Sequence, residues 1–160
     1  MNYQTRERSG DQDIFTNHWL AKAHQALASA VTNQQHNRMS NAVRDIYFAC
    51  FSAVTAVFMN EGKIFQKDSA LRSAFQREMI KTGRVDPVWG PFLDWVFHNM
   101  QQIDYQPMAR FEPDLVQELL EKAECFSSDM ETLLEVPNSS FQSPESMVIS
   151  NTGSPTTLTG

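Results

Sequence analysis

The sequence predicts an all-α antiparallel bundle of four long helices plus a shorter one, followed by a disordered tail. Three observations carry this. Apolar residues recur at three- and four-residue steps through five separate stretches. Turn and capping residues punctuate those stretches at short intervals, which favours antiparallel neighbours. The helical reading of these stretches leaves none for a strand, so the expected number of strands is zero.

The first helix is expected from about Asp11 to Val31, where Leu20, Ala23, Leu27 and Ala30 share one face. The polar run "TNQQHN" ends it. The second starts near Arg38 or Ser40 and runs to about Asn60, where "EG" stops it. Ala42, Ile46, Ala49, Ala53 and Val57 form one stripe of this helix, and Val43, Tyr47, Cys50, Val54 and Phe58 the adjoining one. A helix apolar around so much of its circumference belongs at the centre of a bundle. The third helix reads from Lys67 to Lys81, with Asp68 or Ser69 as its cap, Ala70, Leu71, Ala74, Phe75 and Met79 inward, and Gly83 placed to close it. The fourth follows "RVDPVWGP" from about Pro91 to Ile103 and turns Leu93, Val96, Phe97, Met100 and Ile103 inward. The fifth has the clearest start, with Phe111 ahead of the cap, Pro113 at the first helical position and Val116 set to staple against Phe111. Its stripe of Leu115, Leu119, Phe126, Met130 and Leu133 continues to about Glu135.

Residues 1–10 are therefore expected to be flexible and 11–136 to form the bundle. Residues 137–160, rich in Ser, Thr, Pro and Gly, are expected to be a disordered tail, since they bury too little apolar surface to offset their ordering entropy. Within that tail Phe141, Met147, Val148 and Ile149 are the apolar anchors through which an adaptor role would work, and an end without a role is the plainer reading.

A chain of 160 residues buries a core without disulfides or metal. Cys50 and Cys125 lie far apart with no CxxC spacing, which points to a reduced, cytoplasmic protein without a zinc site. The polar N-terminus lacks the apolar segment of a signal peptide, and no membrane span is expected. The net charge of −6 argues against a general nucleic-acid binder, and DNA is not an expected partner. Charge is unevenly placed. From Glu112 to Glu145 acidic residues face a lone Lys122, whereas Lys63 to Arg84 is basic and opposed only by Asp68 and Glu78. One region would attract phosphates and the other repel them, although a solvated helix face is the simpler account of each.

No glycine-rich phosphate loop, nucleophile elbow or HExxH helix is present, and the carboxylates Glu118, Glu121 and Glu124 lack the Glu-x-x-His companion of a di-iron site. The four histidines, His18, His24, His36 and His98, are scattered. No metal or cofactor is expected.

The ordered series "AKAHQALASA", "SNAVRDIYFACFSAVTAVFMNEGK", "KDSALRSAFQREMIKTG", "NMQQIDYQ" and "FEPDLVQELLEKAECFSSDMETLL" resembles the HEPN superfamily, in particular its small stand-alone prokaryotic members. The resemblance spans about Phe15 to Leu134. It implies a helical bundle, commonly dimeric, that binds or acts on RNA or nucleotides. Many members are RNase toxins paired with a nucleotidyltransferase antitoxin, in which an Arg and a His four to six residues later serve phosphate stabilisation and acid–base chemistry.

The sequence departs from that pattern at the chemistry. Where similar proteins carry Arg-x-x-x-Asp-Tyr in the fourth helix, Asp104 and Tyr105 remain but Met100 stands at the arginine position, and Tyr105 stands where a catalytic histidine would be. In the second helix Asp45 and Ser52 replace an Arg and a His, with Arg44 adjacent. The third-helix His-Ser-Gly-Leu motif reads Asp68, Ser69, Ala70 and Leu71. Met for Arg removes a bidentate phosphate donor.

The resemblance therefore implies a retained frame with lost RNase chemistry: a non-catalytic binding module for a protein partner, RNA or a nucleotide. An expected homodimer would use Tyr47, Asp45, Lys67 and Arg72 for binding. The alternative is an RNase toxin of a HEPN/nucleotidyltransferase pair with a variant site of Arg44, Asp104 and Tyr105. A tyrosine of ordinary pKa near 10 is a poor base at neutral pH, so that alternative requires a perturbed site. Tyr47 is open to two readings, a buried aromatic with an internal hydroxyl partner or a residue lining a groove beside Asp104 and Tyr105.

Overall fold

The computed structural model describes residues 2–105 and 110–146, and among them every regular element is a helix. α1 (Asn2–Gln35) and α2 (Met39–Asn60) are joined by residues 36–38. Asn37 takes φ +63°, the Asn37 and Arg38 N–H groups bond back to the Gln34 and Asn33 carbonyls, and the chain reverses. Gly62 (φ +79°) ends α2 and Gly83 (φ +77°) ends the third helix by the same pair of backward bonds. Each occupies the left-handed position where a Cβ is least welcome.

α3 (Asp68–Phe75) continues into a π-helical turn, Gln76–Ile80, that the apolar spacing does not foretell. α4 (Trp89–Tyr105) starts two residues before Pro91. Asp86 Oδ1 accepts the Val88 N–H at 2.9 Å and so organises the first turn, and Pro91 falls at the third position, where a helix N–H has no internal partner anyway. α5 (Pro113–Ser146) begins at the expected proline, with the Val116 N–H bonded to the Glu112 carbonyl at 3.0 Å.

Two helices extend beyond their expected ends. α1 reaches back to Asn2 rather than starting at Asp11, because extending an established helix gains one hydrogen bond per residue fixed. α5 runs past Glu135 through Pro137 to Ser146, although an interior proline removes one N–H donor and crowds the carbonyl four residues back. Met1, residues 106–109 and the remainder of the expected tail, 147–160, lie outside the described residues.

The helices alternate in direction. Ser29 on Asp45 and Trp19 against Phe51 set α1 antiparallel to α2, Arg44 on Asp104 and Tyr47 against Phe97 set α4 antiparallel to α2, and Gln34 on Gln117 with His24 on Glu131 set α5 antiparallel to α1. α2 is the axis. Every residue of its two predicted stripes is buried. It is as long and apolar as a membrane span, with a mean hydropathy of 1.5 over its best 18-residue window, yet 67% of that window is buried inside the bundle.

At the other end of the core, Phe126 of α5 packs against Phe75, Trp89 and Phe92 with ring centres 5.8, 5.2 and 6.1 Å away. The Trp89 indole N–H donates to Asp129 at 2.8 Å, which lets the tryptophan be buried without an orphaned donor. Ala70, expected inward, is exposed, one position off the Leu71–Ala74–Phe75 face.

Candidate functional site

Two of the expected site residues lie on one face of α2, because Arg44 and Tyr47 are three residues apart. That face meets α4 along a seam, and the start of α3 closes one end of it. At the closed end the Tyr47 hydroxyl donates to Asp68 Oδ2 at 2.5 Å. The ring lies against Phe97 and Phe51, with centres 5.6 and 6.0 Å away, and only 7% of the residue is exposed.

Asp68 is not the cap of α3. Lys67, extended at φ −124° and ψ 143°, occupies the cap position, and Asp68 is the first helical residue, where a carboxylate suits the helix dipole. One turn on, the Arg72 guanidinium carbon sits 3.7 Å from the centre of the Phe97 ring, and Nη1 is 3.4 Å from Asp94 Oδ1. Arg72 Nε is buried without a hydrogen-bond partner.

At the open end both terminal nitrogens of Arg44 donate to Asp104 Oδ1, at 3.1 and 3.0 Å, with both side chains about half exposed. Tyr105, the last residue of α4, is 81% exposed. Met100, at the position that the resemblance assigns to arginine, is half-buried and packed on the core.

The structure thus brings Tyr47 and Arg72 together against Phe97, binds Tyr47 to Asp68, and brings Arg44 to Asp104. Asp45 does not join them. It faces α1, where it accepts from Ser29 Oγ at 2.8 Å and Asn33 Nδ2 at 2.6 Å and fastens the α1–α2 hairpin. Lys67 is exposed beside Asp68.

Burial, and next the Asp68 carboxylate, push the Tyr47 phenol far above the ordinary tyrosine range, and Arg72 only partly opposes them. At physiological pH Tyr47 is therefore a fixed hydrogen-bond donor. Each arginine of the seam has a carboxylate beside it, Asp104 for Arg44 and Asp94 for Arg72. Among the described residues no group of three or more His, Cys, Asp or Glu is placed to hold a metal ion.

Sequence reasoning misses three members of this arrangement. Asp68 reads as a cap, Phe97 as plain core, and Asp94 is not singled out. A signal for the first exists in the charge pattern: Asp68 and Glu78 are the only acids in a basic stretch, and each takes a specific partner, Tyr47 for Asp68 and Lys63 for Glu78.

Comparison with known proteins agrees with this frame. The family model for the HEPN domain matches residues 16–133. A protein of Thermotoga maritima described as a UPF0332 protein is 32% identical over 125 residues, which cover 78% of this chain and 95% of that protein.

Proposed function

The chain belongs to the HEPN family, and from that premise we propose that it is a non-catalytic binding module, a bundle that holds a partner at its surface without cleaving RNA. The observation that carries this reading is the state of the seam. Cleavage at a ribose 2′-hydroxyl needs a group able to take a proton and a cation able to meet the charge developing on phosphate. Tyr47 is held protonated on Asp68, Arg44 and Arg72 are engaged by Asp104 and Asp94, and Met100 offers no charge at the position where the resemblance implies arginine. The partner is a protein, RNA or nucleotide, and the module acts as a homodimer.

The test is incubation of the purified protein with a labelled single-stranded RNA pool. No products above the buffer control are expected. Cleavage that disappears in Arg44→Ala or Tyr105→Phe overturns the reading.

One observation favours the second reading, an RNase toxin paired with a nucleotidyltransferase. Arg44, Asp104 and Tyr105 gather at the open end of the seam, all three accessible to a large substrate. That reading expects growth inhibition on expression that is lost in Tyr105→Phe, and unchanged growth removes it.

A further inference from the structure

α2 is the axis of the bundle, yet one stripe of it has no helix over it. Arg44, Phe48, Phe51, Thr55 and Met59 follow one another at steps of four, three, four and four, so they lie along a single line. α1 borders this line on one side and α4 on the other, and those two helices do not form a packed pair. Phe48 is 40% exposed, and Phe51, Thr55 and Met59 are half-buried. Ile64 of the α2–α3 connection, 71% exposed, extends the same apolar surface.

Two features give this surface a chemistry. Near the C-terminal end of α2 it deepens into a cavity of about 160 Å³ between Trp19, Phe51, Met59, Phe65 and Leu71. That is about the size of a void that accepts a benzene ring, so one aromatic or leucine side chain fits. Beside it, the Lys22 ammonium stands 5.7 Å from the centre of the Trp19 ring and 5.8 Å from that of Phe48, and among the described residues it makes no ion pair with a carboxylate. Trp19 is a wall of the cavity and a platform for the cation, so the two are about one indole apart. This matches the spacing of residues three or four apart on one helix face.

We propose that this open face of α2 docks an amphipathic helix of a partner protein, which places one large apolar side chain in the Trp19–Met59 cavity and a carboxylate one turn away on Lys22. The inference rests on the binding-module reading and names the class of its partner. Helix-in-groove recognition reads apolar anchors at three- and four-residue steps, and a width left open between two helices is suited to it. The charges at the face favour an acidic helix over a nucleic acid. Arg44 and Lys63 are already bound by Asp104 and Glu78, which leaves few cations to neutralise a phosphate backbone. A second copy does not supply the helix from its acidic α5, whose Val116, Leu119, Phe126 and Met130 are buried in its own core.

The experiment is a selection of displayed helical peptides with randomised faces against the full chain, wild type and Lys22→Glu. The wild type is expected to enrich peptides with a Phe, Trp or Leu three or four residues from a Glu or Asp. Lys22→Glu should weaken those peptides about tenfold and enrich Lys or Arg in place of the acid. Phe48→Ser, a change at an exposed position, should abolish binding while the circular dichroism stays native. No enrichment overturns the proposal, as does enrichment without an acid or indifference to Lys22→Glu. So does a concentration-dependent dimer that Lys22→Glu dissociates, which assigns the face to a second copy, or single-stranded RNA binding that Phe48→Ser removes. RNA cleavage, by contrast, refutes the non-catalytic reading without touching the peptide result.

Discussion

Replacing Tyr47 by Phe deletes one hydroxyl and leaves the ring, so the packing against Phe51 and Phe97 persists and the hydrogen bond to Asp68 alone is lost. A hydrogen bond to a charged group contributes about 1.5–3 kcal/mol. Tyr47 is buried, but Asp68 is partly open to water that can replace the lost donor, so a loss of roughly 1–2 kcal/mol is expected from that range. In a chain of this size this corresponds to a fall in Tm of about 2–8 °C. The pH dependence carries a sign. Below about pH 10 the phenol is protonated in both folded and unfolded chains and contributes no slope. Above that, the unfolded chain releases the proton while the native state retains it, because burial and Asp68 oppose the phenolate. Wild-type stability should therefore fall by about 1.4 kcal/mol per pH unit from this group, and Tyr47→Phe should lose that component. Urea unfolding followed by circular dichroism at pH 7, 10 and 11 measures both quantities. The reasoning is refuted if the variant matches wild type at pH 7, or if the stability difference between the two proteins does not narrow as pH rises from 10 to 11.

The remaining predictions concern thiols, core and surface. Burial pushes the Cys50 thiol well above its ordinary range, whereas Cys125 is exposed, so a disulfide reagent at pH 8 should titrate one thiol in the native protein and two in guanidinium. Two fast thiols in the native state would contradict the packing of α2. Phe126→Ala empties the meeting point of Phe75, Trp89 and Phe92 and should cost about 3–5 kcal/mol in chemical denaturation; a cost under about 1 kcal/mol would mean that the cluster does not hold α5. The Arg44–Asp104 pair is about half exposed at each end. A double-mutant cycle with Arg44→Ala and Asp104→Ala should give a coupling under about 1 kcal/mol that shrinks in high salt, and a larger, salt-insensitive coupling would show the pair to be covered.

The fold was legible where one physical rule dominates. Both stripes of α2, the stops at Gly62 and Gly83 and the start at Pro113 follow from periodicity and capping, and these rules act within a few residues. Boundaries failed where a local preference competed with propagation. Asp11 reads as a start because the chain before it is polar, but a polar stretch without proline continues a helix once α1 is anchored. Asp68 failed for a related reason. An acid at the head of a helix satisfies the capping rule and the dipole rule from adjacent positions, and only the fold brings the Tyr47 hydroxyl, 21 residues earlier, within reach. The open stripe of α2 was hidden by its own composition. A helix apolar all round reads as surrounded, and sequence periodicity counts how much of it is apolar without counting its neighbours.

On the proposed non-catalytic reading, position 68 contributes more than a missing part. The histidine that the resemblance places there is able to exchange a proton near neutral pH, whereas a carboxylate accepts a hydrogen bond and fixes the tyrosine hydroxyl as its donor. With Asp68 present, the hydroxyl has a fixed partner and ionisation of Tyr47 is opposed by both burial and charge. Restoring only the arginine, by Met100→Arg, would add a cation to the seam and still leave the Asp68 carboxylate occupied by the Tyr47 hydroxyl, with no histidine at the closed end. Met100→Arg alone should therefore yield no RNA cleavage. If it does, the proton is taken elsewhere, and the exposed Tyr105 becomes the group to test.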